Sequence, residues 1–195
     1  MEVYYMKNKL RITWNSPVIL TFVAICLLAT VFNYITGGKS NEIFFMTYHS
    51  SLKSPMTYVR FFTHVLGHAD WAHFMGNMSY ILLLGPLLEE KYKSRTLIEV
   101  IAIAALVTGL INYLFFPNIA LCGASGVVFA FMLLSSFTSF KDGEIPLTFL
   151  LVAIFFIGQQ VIQGLTINDN VSNMAHIVGG IVGGCCGYVL NRKSV

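Results

Sequence analysis

Three short clusters hold the side chains able to do nucleophilic or acid–base chemistry. His68, His73 and Asn77 form the first, with His64 one turn upstream. His73 and Asn77 are four residues apart and share a face if the segment is helical. Both can donate hydrogen bonds. Ser125 is the second, inside Gly123-Ala124-Ser125-Gly126. His176 is the third, inside Ala175-His176-Ile177-Val178-Gly179, with small residues continuing to Gly183 and Gly187. A serine hydroxyl is a weak nucleophile until an adjacent base takes its proton. Histidine suits that task, with a pKa of about 6.5. Two further donors could hold the oxyanion of a tetrahedral intermediate. No carboxylate is near Ser125 or His176 in sequence, so the pattern points to a dyad and not a triad.

Each cluster has a plainer reading. Histidine and asparagine can glue helices together by hydrogen bonds. A serine hydroxyl can bond a carbonyl one turn back, and a serine between glycines can be a packing site. His64, His68 and His73 could hold zinc, but H-E-x-x-H is missing and no cysteine joins them. The G-x-S-x-G elbow of soluble hydrolases is absent, because Val127 and Val128 follow Gly126.

The elements that carry these residues are apolar. Of 195 residues, 56% are hydrophobic and 11% charged, and the mean hydropathy is +0.71. A soluble domain is about 25% charged and needs polar cover. An ordinary cytosolic enzyme, a disordered chain and a nucleic-acid binder are thereby excluded. A membrane-crossing helix takes about 20 apolar residues. The uncharged stretches predict six spans, at about 17–35, 71–88, 97–116, 123–140, 146–162 and 174–190. Residues 100–140 hold two of them, broken at Pro117-Asn118. Residues 1–16 and 191–195 are tails, and 17–190 one six-helix membrane domain. Segment 39–70 is too rich in Phe and Tyr for a solvated loop and reads as an interfacial element.

Nine of the twelve Lys and Arg residues fall on the side of the termini. The excess of basic residues puts both termini in the cytoplasm. Cys26, Cys122, Cys185 and Cys186 lie in or beside apolar stretches and read as small hydrophobes, not a disulfide framework. Gly179, Gly183 and Gly187 make a small-residue stripe matched by Gly126 and Ala130. Packing one on the other would bring Ser125 to His176. Gln159, Gln160 and Gln163 either edge a wet cavity or tie helices together.

At these motifs the sequence resembles the rhomboid family of intramembrane serine proteases, in its minimal six-helix bacterial form. Gly123-Ala124-Ser125-Gly126 is similar to the family's G-x-S-G. His68, His73 and Asn77 match its second-span pattern, and Ala175, His176, Gly179 and Gly183 its sixth. The resemblance implies an all-α bundle with segment 39–70 as a membrane-embedded first loop. It implies Ser125 as nucleophile, His176 as general base and acid, and the Ser125 N–H with His73 and Asn77 as oxyanion donors. His68, Gly123, Gly126, Phe129, Gly179 and Gly183 would support the site. Glu89 and Arg60 match an acidic position closing the second span and a loop arginine. Val59, Lys93 and Phe129 replace a tryptophan, a glycine and a tyrosine. The expected function is cleavage of single-pass transmembrane proteins near the non-cytoplasmic surface, in a bacterial inner membrane, without cofactor, metal or nucleic acid. The alternatives are an inactive client binder and a small transporter or metal-binding protein.

Overall fold

The computed structural model describes residues 12–138, 144–166 and 173–192. Among them the chain is all helix, apart from one isolated β-bridge between Thr47 and Leu121. The helices are α1 (Pro17–Ile35), α2 (Pro55–Thr63), α3 (Trp71–Phe115), α4 (Ser125–Ser135), α5 (Leu147–Thr166) and α6 (Asn173–Arg192), with one π turn over Asn41–Phe45. By length and composition α1, α3 and α6 can each cross a membrane.

The expected second and third spans form one helical element of 45 residues. At 1.5 Å per residue that is about 67 Å, twice a bilayer core. Its direction changes at one residue, Lys93, with φ 71° and ψ 155°. Such backbone is nearly reserved for glycine and costs about 1–3 kcal/mol otherwise. Lys93 stands where the resemblance expects a glycine, so the substitution puts a strained residue at the bend.

Four groups converge beside that bend. Ser16 supplies no side-chain cap to α1, although Pro17 occupies a first-turn position suited to proline. The cap comes instead from Glu89, whose carboxylate accepts from the Val18 and Ile19 N–H groups at 3.1 Å each and from the Ser94 hydroxyl at 2.7 Å. A buried anion at a helix N-terminus meets unpaired donors and the positive end of the dipole. Glu89 therefore ties α1 to the turn in α3.

α4 is apolar all round because it is central. Every residue from Gly126 to Leu134 is buried, and α3, α5 and α6 pack around it. It is shorter than the expected 123–140. Ser135 and Ser136 both donate to the Met132 carbonyl, at 2.8 and 3.1 Å, and the chain turns at 136–138. Lys91 then donates to the carbonyls of Phe137 and Thr138.

Segment 39–70 is ordered and packs on the bundle through α2 and α3. Arg60 is buried, with its guanidinium 4.3 Å above the Tyr48 ring. It donates to the Met56 and Glu42 carbonyls. The cysteines are free. Cys26 is buried, as expected of a small hydrophobe, but Cys185 is exposed on the outer face of α6.

Candidate active site

Ser125 opens α4, directly after Gly123 and Ala124. The Gly123 backbone has φ +123°. A Cβ there would strike the His73 ring at 2.5 Å and approach Asn77 Nδ2 at 3.5 Å. Glycine is thus required twice, for its backbone and for the closeness of His73. The Gly123 N–H donates to the His64 carbonyl at 2.9 Å. Two further backbone bonds join Thr47 and Leu121, at 2.9 and 2.8 Å. Together they fasten the segment before Ser125 to the first loop.

α6 meets α4 backbone to backbone. A Cβ on Gly179 would fall within the Gly126 carbonyl, and one on Gly183 within that of Ala130. A Cβ on Gly126 would stand 3.5 Å from the Ala175 carbonyl. The two small-residue stripes therefore face each other as expected. The neighbours of Ser125 and His176, Gly126 and Ala175, are in contact across this seam. The His176 ring stacks on Phe129, with centroids 4.6 Å apart and planes 2° apart. Phenylalanine fills the place of the tyrosine and still presents a flat face to the imidazole.

On α3, Asp70 is the N-cap, accepting the His73 N–H at 2.8 Å. This starts the helix so that His73 and Asn77 face one way. Asn77 is 7% exposed, and its Nδ2 is buried without a hydrogen-bond partner. Such a donor costs free energy unless another ligand satisfies it. His68 is fully buried, edge-on to both His73 and Phe74. Asn41 Nδ2 holds the His68 carbonyl at 2.9 Å. Burial pushes the His68 imidazole down to about 4, with the nearby His73 adding to the effect. Burial does the same to His64, whose Nε2 is 3.0 Å from the Ala105 carbonyl. Both rings are therefore neutral.

One cavity of about 740 Å³ collects Ser125, His176, His73 and Asn77, with Asp70, Tyr80, Phe129 and Gln159 on its walls. His68 stands against His73, while Gly126, Gly179 and Gly183 lie in the α4–α6 seam and do not line the cavity. Gln159 reaches the cavity, as one of its expected roles required; the side chains of Gln160 and Gln163 lie outside the described residues. Among the described residues, no group of three His, Cys, Asp or Glu could hold a metal ion.

Two features of the site were not among the expected components. Asp70 could have been found, since an aspartate three residues before His73 and just before an apolar run is a helix-start signal. The Thr47–Leu121 bridge had no local signal, because it joins residues 74 apart in sequence.

The long apolar helices, packed around this cavity, define an integral membrane protein. Residues 55–193 match the family model described as the Rhomboid domain. The chain belongs to the rhomboid family. It is similar to Rhomboid protease GlpG of Haemophilus influenzae, 27% identical over 94% of this chain and 95% of that protein. It is also similar to Rhomboid-related protein 2 of Mus musculus, 28% identical over 89% of this chain and 64% of that protein. Rhomboid-related protein 1 of Caenorhabditis elegans is 30% identical over 67% of this chain and 39% of its own length.

Proposed function

We propose that this protein is an intramembrane serine endopeptidase working through Ser125 and His176. The observation that carries the reading is the unsatisfied Asn77 donor, buried in the same cavity as Ser125 and His176. A purely structural asparagine would have spent that N–H group.

Ser125 Oγ attacks the scissile carbonyl while His176 takes its proton. The oxyanion is met by Asn77 Nδ2, by His73 and by the Ser125 N–H. That N–H is at the start of α4, where backbone donors have no intrahelical partner and the helix dipole is positive. His176 returns the proton to the departing amine, and water then attacks the acyl-enzyme with His176 as base. No carboxylate is needed to orient the imidazole, because Phe129 stacks against it. His68 and Gly123 act indirectly, by setting where His73 stands.

The substrate is a transmembrane segment, and the chain crosses the membrane six times with both termini in the cytoplasm. Lys91 secures the far end of α4 on the basic side. Eleven residues of helix raise Ser125 about 16 Å above that end, roughly half the hydrocarbon thickness. A buried hydrolase needs water at that depth, and the cavity supplies the path.

Purified protein in bilayers is given a panel of transmembrane reporters and, separately, a fluorophosphonate probe. Wild type should cut and label. Ser125→Ala should lose both, His176→Ala should lose cleavage, and Asn77→Ala should slow cleavage about 10²-fold, all three remaining folded. A folded wild type that neither labels nor cuts would favour the inactive client binder. Equal cleavage by Ser125→Ala would remove the serine from the mechanism.

A further inference from the structure

The cavity around Ser125 is almost neutral. Apart from its histidines, Asp70 is the charged side chain among the described residues that line it. Asp70 is exposed to the space in front of it. It uses Oδ1 to cap α3 through the His73 N–H, while a carboxylate offers four lone-pair positions over its two oxygens. It caps α3 at His73 and lines the same cavity as His73 and Cys122, which places it beside the donor face and the segment leading to Ser125. Arg60, a cation of the same loop segment, is turned away, bound to Glu42 and Met56 carbonyls and to Tyr48. Among the described residues, nothing cationic on the cavity wall answers the Asp70 charge.

We infer that Asp70 is a specificity-determining residue, selecting substrates that carry a lysine or arginine close to the cut bond on its water-facing side. This rests on the proteolytic reading above. A substrate segment entering the cavity must bring residues past the start of α3 to reach Ser125. A cation there gains the uncompensated carboxylate and an acidic residue meets repulsion. At a partly exposed site each effect is about threefold in rate constant. Lysine over glutamate should therefore reach about tenfold. Low-dielectric walls focus the field on the cavity mouth. Salt should weaken it, since exposed charges are screened beyond about 10 Å at 0.1 M.

The test uses the full chain in bilayers and reporters that differ at a single water-side position, scanned over the five residues next to the cut. Each position carries Lys, Gln or Glu. Wild type should prefer Lys over Glu by about tenfold in kcat/KM at one or more positions, and less at high salt. Asp70→Asn retains an oxygen for the α3 cap and should bring the ratio to within about twofold. The readout is a ratio, so a general loss of turnover does not move it. Equal cleavage of Lys and Glu reporters by wild type overturns the inference alone, as does a ratio unchanged in Asp70→Asn. Failure to cut any reporter overturns the proteolytic reading and the inference with it.

Discussion

Gly179→Ala tests whether the α4–α6 seam is what brings the two candidate catalytic residues together. The added methyl group would lie within the Gly126 carbonyl, and backbone is the obstacle, not the end of a flexible side chain. The helices must part by about 1 Å or more to restore normal contact. Overpacking of that kind costs about 1–3 kcal/mol. The functional loss should be larger in proportion. His176 is one turn before Gly179 and Ser125 adjoins Gly126, so the same shift opens the distance between hydroxyl and imidazole. A misplacement of about 1 Å costs roughly 10²-fold in rate. Gly184→Ala is the control on the same helix. Among the described residues its Cβ would meet only Phe149, at an ordinary 3.7 Å, and glycine-to-alanine gains about 1 kcal/mol in helix propensity. Reporter cleavage and thermal unfolding in bilayers or detergent read both effects. Gly179→Ala should lose about 10²-fold in kcat with a lowered Tm, and Gly184→Ala neither. If the two variants behave alike, close backbone packing is not what aligns the site.

Three other outcomes are expected. Lys93→Gly should stabilise the protein by about 1 kcal/mol, because glycine accepts the φ 71° bend without strain; an unchanged or lower Tm would count against a strained turn. Glu89→Ala should destabilise it by about 3 kcal/mol by orphaning the Val18 and Ile19 N–H groups and the Ser94 hydroxyl, with Glu89→Gln intermediate; chemical unfolding would detect either. Stability should also fall on acidification. His64 and His68 have folded pKa values of about 4 against about 6.5 unfolded, so the unfolded chain binds more protons between those values. Their contribution is present above pH 6.5, is lost as pH falls to about 4, and is flat below; Tm against pH measures it, and His64→Phe should flatten the curve.

Much of the fold was legible because burying charge in hydrocarbon is costly at each residue separately. That cost writes the positions of the apolar helices into composition, and it made Ser125, His73, Asn77 and His176 conspicuous as polar groups in apolar runs. Helical period alone put His73 and Asn77 on one face. The small-residue stripes were readable for a related reason, since glycine at every fourth position has few uses in a membrane helix besides close packing.

Element ends were less legible. The residues 123–140 are apolar throughout, yet α4 stops at Ser135, where hydroxyls bonding back to Met132 tighten the last turn. The bend at Lys93 also had no signal in propensity, because lysine is an ordinary helix former. Glu89 could be seen as a carboxylate closing an apolar run, but the Val18 and Ile19 N–H groups that it caps are about 70 residues away.

By itself the sequence determined that this chain lives in a membrane, which residues could do chemistry there, and which helix faces could touch. The tertiary structure decided which faces do touch. It seated Gly179 on Gly126, stacked Phe129 on His176, left the Asn77 donor unspent and brought Asp70 to the cavity wall. The physical reason is that desolvation acts on one residue at a time, whereas adjacency depends on the packing of every helix at once.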